Sequence, residues 1–236
     1  MLSNQFQGVV INASFPRSGH RFLRELCLGY FAKEMRFFNS YSPDALRNGH
    51  LESDRESHYN YIKTHDFELQ GFDVLKTHFP LRRKYIVQVR HPLESIASYY
   101  EFALKNGEVK QDTKAAWSIF LNQKLCYWKS FCETWLAEES TAVLLVTYEH
   151  LSNSTALELK KVIQFITGDQ RVDEVLVTQL VEKKPFNQYA GEDDSAKSGK
   201  RKISNFKYFD KAHFRSLQDE LYPAYLGPLG LKLPRF

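Results

Sequence analysis

Gly8-Val9-Val10-Ile11-Asn12-Ala13-Ser14 runs without a break into Phe15-Pro16-Arg17-Ser18-Gly19-His20-Arg21-Phe22. The first seven residues are mostly apolar and rich in β-branched side chains, as in a strand buried on both faces. From Ser18 to about Met35, the apolar residues Phe22, Leu23, Leu26, Leu28, Tyr30 and Phe31 recur at roughly helical spacing. The stretch therefore predicts strand, tight loop and helix. The first N–H groups of that helix lack helical partners and carry the positive end of its dipole, so an anion belongs at the loop. Gly19 allows close backbone approach, Ser18 adds a hydroxyl donor, and Arg17 adds a fixed charge. The ATP-type pattern G-x-x-x-x-G-K-[ST] is not met, because His20 and Arg21 follow Gly19. With no Lys-Ser/Thr pair to hold phosphate and Mg²⁺, a metal-free anion site is favoured over a kinase or GTPase site. Taken alone, the segment is equally compatible with a plain βα turn bearing a surface arginine.

Further along, Tyr59–Thr64 (YNYIKT) and Lys84–Arg90 (KYIVQVR) predict a second and a third strand, and Ala142–Thr147 (AVLLVT) a fourth. Pro92 marks a helix start, with the helix running to about Lys105. Trp117, Phe120, Leu121, Leu125, Trp128, Phe131 and Trp135 step by three or four and predict a long amphipathic helix from Thr113 to about Ala137. Thr155 and Glu158 have capping-box spacing for a helix ending near Thr167. Phe37 to Ser57 reads as a polar loop or lid, Lys183 to Asn205 as a mobile basic loop, and Lys211 to Leu221 as a last helix. Strands alternating with helices predict the α/β class: a three-layer, P-loop-like, doubly wound central parallel sheet flanked by helices. With 236 residues and no Pro/Gly/Ser-rich linker, a single domain over residues 1–236 is expected.

Composition narrows the partners. The hydrophobic and charged fractions, 43% and 25%, are those of a soluble globular chain. A net charge of +4 suits an anionic small molecule without demanding nucleic acid. The 18 Phe and 13 Tyr serve core packing or line a pocket for a flat ligand. The three cysteines, Cys27, Cys126 and Cys132, show no paired spacing for a disulfide framework or a zinc site. No basic segment followed by an apolar run opens the chain, and no stretch reaches the length of a membrane span. A cytoplasmic protein with no membrane and no metal is the expectation.

A second anion contact is expected at Arg90, at the end of the third strand. Carboxyl ends of strands face the ligand crevice in a doubly wound sheet, and Ser98 follows eight residues later on the next helix. Together they can grip one phosphate, although an ion pair and a backbone-bonded hydroxyl would look the same in sequence.

At this point the chain resembles the sulfotransferases that use 3′-phosphoadenosine 5′-phosphosulfate (PAPS). FPRSGHRF is similar to their YPKSGTTW loop, VRHPLESIASYYEF to their 3′-phosphate motif, and VTYEHL to their strand-end Tyr-Glu-Asp segment. The order and spacing match from Val9 to about Gly168. The resemblance implies sulfuryl transfer from PAPS to a hydroxyl or amine of a small-molecule acceptor, releasing 3′-phosphoadenosine 5′-phosphate (PAP). It implies Arg17 against the sulfate and its bridging oxygen, Ser18, Gly19, His20 and Arg21 around the 5′-phosphate, and Phe22 where the family has a Trp against adenine. It places Arg90 and Ser98 on the 3′-phosphate and Tyr148 near the base. Two departures stand out. Arg17 replaces a lysine and is a far poorer acid. His20 and Arg21 replace a pair of threonines, so two hydroxyl contacts are exchanged for charge.

The family's general base is the histidine of a Lys-Thr-His at a strand end. The chain has Lys63-Thr64-His65 and Lys76-Thr77-His78, and the second, followed by Phe79-Pro80, is closer to the family in its letters. Parallel strands need a crossover of a dozen or more residues, and too few separate His78 from the Lys84–Arg90 strand. His65 is therefore assigned as base and Lys63 as sulfate contact, with His78 the alternative. A histidine suits the role because its ordinary pKa lies near neutrality. The resemblance also implies, more loosely, that Lys197, Gly199, Lys200 and Arg201 close over the 3′-phosphate. Phe37, Phe38, Tyr41 and Phe186 are candidates to line the acceptor pocket. The family's C-terminal dimer motif is not found, which leaves the oligomeric state open, and the short chain suggests a small or open acceptor site. Two rival readings remain: a P-loop-like phosphotransferase, and a non-catalytic module that retains the nucleotide pocket.

Overall fold

β1 (Gly8–Ser14) is buried along its whole length because strands flank it on both sides and helices cover both faces. The computed structural model describes residues 8–39, 58–69, 83–136, 141–183 and 203–231. The other strands are β2 (Met35–Asn39), β3 (Tyr59–Thr64), β4 (Arg83–Val89) and β5 (Val143–Thr147). All pairings are parallel, in the order β2-β3-β1-β4-β5. The helices are α1 (His20–Phe31), α2 (Pro92–Lys105), α3 (Lys114–Leu136), α4 (Tyr148–Asn153), α5 (Thr155–Thr167), α6 (Glu174–Lys183) and α7 (Lys211–Leu221).

The period-two alternation of the strands sorts the core into two layers. Val9, Ile11 and Ala13 of β1, with Ile62 of β3 and Tyr85, Val87 and Val89 of β4, pack on α2, α3 and α7. That layer is strongly aromatic: Trp117, Trp128, Phe131, Trp135, Phe206 and Phe214 all lie in it. Val10, Tyr61 and Ile86 face the other way, onto α1, α4, α5 and α6. Because α1 follows β1 on one face while α2 and α3 follow β4 on the other, the sheet is doubly wound. Its strand order reverses at β1, which puts the crevice at the carboxyl ends of β3, β1 and β4.

The three-layer α/β expectation agrees with this architecture, but several boundaries change. The first helix stops at Phe31, where Ala32 takes φ +47°, rather than near Met35. Residues 37–39, expected as loop, belong to edge strand β2. Arg90 lies just beyond β4 rather than within it. The Thr155–Glu158 capping box does not form: Ser154 is the N-cap, Thr155 Oγ1 donates to the Leu151 carbonyl, and Glu158 pairs with Lys161. Helix α6 went unread in the sequence. Pro92 opens α2 as expected. The expected neighbours β3 and β4 are parallel but not adjacent, since β1 lies between them.

Candidate functional site

On the α1 side of the sheet, the apolar pattern fails at the carboxyl ends of three strands. Asn12 and Ser14 of β1, Lys63 of β3 and Gln88 of β4 occupy positions where the alternation calls for apolar side chains, and all four are buried. Asn12 is in register with Lys63, and Ser14 with Gln88. Asn12 Nδ2 donates to the Ile86 carbonyl, and Gln88 Nε2 donates to the Ser18 carbonyl at 3.3 Å. A polar floor therefore supports the loop from below. Burying such groups is costly unless they are hydrogen-bonded, so their clustering marks a site rather than a core.

The loop above it is held by backbone geometry. Gly19 is the N-cap of α1 with φ +85°, and a Cβ there would lie 3.1 Å from the Tyr148 ring. Glycine is thus required both by conformation and by the close approach of Tyr148. Arg17 also takes a positive φ, +67°. The Ser18 hydroxyl is buried with no hydrogen-bond partner.

Two groups of side chains converge on the loop from opposite sides. On the α2 and α4 side, Arg17 Nε donates to Ser98 Oγ at 3.0 Å, and its guanidinium lies 5.2 Å from the Phe102 ring centre. Loss of water around that guanidinium, then repulsion from Arg90, lowers the Arg17 pKa, although its surface is still accessible. The Arg90 guanidinium stacks 4.0 Å from the Tyr148 ring centre and pairs with Glu94 at 3.0 Å, leaving its buried Nε without a partner. Burial raises the Tyr148 pKa, so the ring stays a neutral phenol. Behind them, Glu149 Oε1 accepts the His91 backbone N–H at 2.9 Å and ties the start of α2 to the start of α4.

On the β3 side, His65 follows the strand end and is 8% exposed. Its Nδ1 lies 2.7 Å from the Ser14 carbonyl oxygen. A carbonyl can only accept, so in the neutral ring Nδ1 carries the hydrogen and Nε2 is the acceptor nitrogen. Burial, then the Lys63 charge, lowers the His65 pKa to about 4. His20, the first residue of α1, stands edge-on to His65 with ring centres 5.3 Å apart and planes at 88°. Burial, with Lys63, His65, Arg24 and Arg17 nearby, lowers its pKa to about 2. Phe67 lies 5.3 Å from the His65 ring centre and is 45% exposed; Tyr127 lies beyond it.

The loop thus brings Arg17, Ser18, Gly19, His20, Lys63, His65, Arg90, Ser98 and Tyr148 to one end of the sheet. Arg21 is exposed, whereas Phe22 is buried in the core layer beneath α1, so packing is the role its environment supports. Lys197, Gly199, Lys200 and Arg201 lie outside the described residues, as do the Lys76-Thr77-His78 alternative, Tyr41 and Phe186. Phe37 packs against Tyr61 and beneath Arg24, and Phe38 against the opposite layer. The sequence reading missed Gln88, Glu149 and Phe67. Asn12, Lys63 and Gln88 shared one signal, a polar residue inside an otherwise apolar buried strand. Among the described residues no cluster of metal-ligating side chains occurs, and no helix is long and apolar enough to cross a membrane.

The family model described as Sulfotransferase domain matches residues 8–227. Luciferin sulfotransferase from Photinus pyralis is 25% identical over 178 residues, covering 69% of this chain and 44% of that protein. The matched chain thus spans less than half of that relative's length. Among solved structures, mouse sulfotransferase SULT7A1 complexed with PAP superposes with a TM-score of 0.60 at 15% identity, over 96% of this chain and 89% of that one. At that identity the likeness speaks for the fold.

Proposed function

The chain belongs to the sulfotransferase domain family, and from that premise we propose that it transfers a sulfuryl group from PAPS to a hydroxyl or amine of a small acceptor, releasing PAP. The observation that carries the proposal is the imidazole of His65. Its Nδ1 is committed to the Ser14 carbonyl, which makes Nε2 the basic nitrogen, immediately beside the loop at the start of α1. A base and an anion cradle sharing one crevice suit transfer of a charged group to a protonated nucleophile.

The residues present fit the nucleotide. A buried Ser18 hydroxyl and a buried Arg90 Nε are donors without partners among the described residues, and no side chain of the N-cap residue caps the start of α1. Bound there, PAPS would supply the activated sulfuryl group. In this reading, Ser18, Gly19, His20 and Arg21 wrap the 5′-phosphate through the loop backbone, and Arg90 with Ser98 holds the 3′-phosphate. Tyr148, stacked with the Arg90 guanidinium, would lie near the nucleotide's base. His65 Nε2 takes the acceptor proton. Lys63 and Arg17 stabilise the charge that grows on the sulfuryl oxygens and the leaving phosphate, as fixed cations do in phosphoryl transfer. Arg17 stabilises without protonating, because a guanidinium does not give up its proton near neutral pH.

The test is a mass-spectrometric screen for gain of SO₃ on hydroxyl and amine acceptors with PAPS present, paired with calorimetry of PAP. His65→Ala is expected to lower transfer by about 10²–10⁴-fold, the usual contribution of a general base, while PAP affinity stays within a few-fold. Surviving transfer in that variant would remove His65 from the role. Tight PAP binding with no transfer to any acceptor would favour a non-catalytic nucleotide module.

A further inference from the structure

His20 stands where the family carries a threonine, and the structure aims it at the base rather than along the phosphate loop. Its ring meets His65 edge-on at 5.3 Å, in contact with the one ring whose orientation governs proton removal. His65 also meets the Ser14 carbonyl and hydroxyl at Nδ1, the Phe67 ring, and the charge of Lys63 two residues earlier. Phe67 is half exposed, so the wall it forms is open to solvent. His20 is fixed to the first turn of a helix whose next residues, Phe22 and Leu23, are buried in the core. Compared with Phe67, His20 has the more rigid mount.

We propose that His20 is a positioning residue for His65: its ring closes one side of the base, excludes water from that side, and confines it to the orientation that joins Nδ1 to Ser14. This rests on the reading of His65 as base. The role needs the ring's shape, not its charge. Burial, then the neighbours Lys63, His65, Arg24 and Arg17, disfavour a proton on His20, so it stays neutral and cannot compete as a base near pH 7. A threonine at this position would contribute a hydroxyl but no wall. The chain therefore exchanges a hydroxyl contact to phosphate for rigid packing around its base.

The test does not depend on knowing the acceptor. With ring-carbon-labelled histidine in the full chain, NMR follows the tautomer and the titration midpoint of His65, assigned by loss of its signal in His65→Ala. In the parent protein, the Nδ1–H tautomer is expected to persist, with a midpoint well below the ordinary histidine value. His20→Ala admits water, and is expected to raise the midpoint by about one pH unit and to mix the tautomers, since burial is what holds it down. His20→Phe retains a wall and is expected to leave both unchanged. His20→Thr serves in place of the alanine if that variant fails to fold. The proposal is overturned if the small variants leave midpoint and tautomer where they were, or if the Phe variant behaves as Ala does. It is also overturned if PAP affinity falls by more than about 30-fold while the His65 signal is unmoved, which would make His20 a phosphate ligand. A wrong base assignment shows separately, as sulfuryl transfer surviving His65→Ala while the His65 titration still answers to position 20.

Discussion

The two sides of the loop solve opposite problems. On the α2 and α4 side, guanidiniums are placed by flat rings, Arg90 on Tyr148 and Arg17 near Phe102. On the β3 side, imidazoles are kept neutral by burial and by a neighbouring lysine. In the proposed function, one side holds anions and the other receives a proton. The same loop backbone serves both. The chemistry therefore divides along the sheet, with β4 and β5 ending at the holding side and β3 at the reacting side. The lesson is that desolvation and stacking, rather than residue type alone, separate binding from catalysis within a few ångströms.

The sharpest way to break this contrast is to truncate one cation from each side. Lys63→Ala is expected to lower the transfer rate at saturation by about 10²–10³-fold with little change in PAP affinity, as for a charge that acts on the transition state. Arg90→Ala should do the reverse. It is expected to weaken PAP binding by about 10–100-fold, the range of a charged hydrogen-bonded contact, while the rate at saturation changes only a few-fold. Calorimetry and saturation kinetics on the two variants read the split directly. If both variants changed affinity and rate together, the two sides would have to be treated as one.

A smaller effect follows from the neutral histidines. His65 and His91 are held at about 4 and about 3 by burial. Folded-state values below the unfolded value of about 6.5 mean that the unfolded chain binds more protons in the interval between. Their stabilising contribution is thus fully present above pH 6.5 and is lost as pH falls from there toward 4 and 3. Each contributes a slope of up to about 1.4 kcal/mol per pH unit in that window. The melting temperature should therefore fall between pH 7 and pH 5, and His91→Phe should flatten the fall without touching the site. A melting temperature that stayed level over this range would contradict the burial of both rings.

The sequence carried the three-layer fold because β1, β4 and β5 each hold a short apolar run, Val9–Ile11, Tyr85–Val87 and Val143–Val146, and α2, α3 and α7 keep a clear helical period. It concealed β2, where Met35-Arg36-Phe37-Phe38-Asn39 follows the first helix with no glycine or proline at the junction. Ala32 makes that turn with a positive φ, a conformation that composition does not announce. It concealed α6 because EVLVTQLVEK is rich in β-branched residues, and packing of Val177 and Leu180 overrides their weak helix propensity. The site was more legible than its interior. Arg17, His65, Arg90 and Ser98 can be picked out by motif, but the His20–His65 contact depends on where α1 begins relative to the end of β3. No spacing in the chain encodes that distance.

The smallest predicted effect tests the seam between the two sides. Gly19→Ala forces a side chain into φ +85° and against Tyr148 at 3.1 Å. It is expected to cost about 1–3 kcal/mol of stability and to weaken PAP binding several-fold, read by thermal denaturation and calorimetry. Unchanged binding would mean that the Tyr148 ring moves aside freely.

The oxygen that fixes the proton on His65 belongs to the main chain of Ser14. No codon change at position 14 can delete it, since every amino acid brings the same carbonyl. The direction in which His65 points is thus inherited in part from the pairing of β1 with β3, Ala13 opposite Thr64, with the His20 ring as its side-chain share. Side chains around the crevice are free to diverge toward new acceptors while the orientation of the base is handed down with the sheet. A designer who wished to reverse that orientation would have to slide a strand.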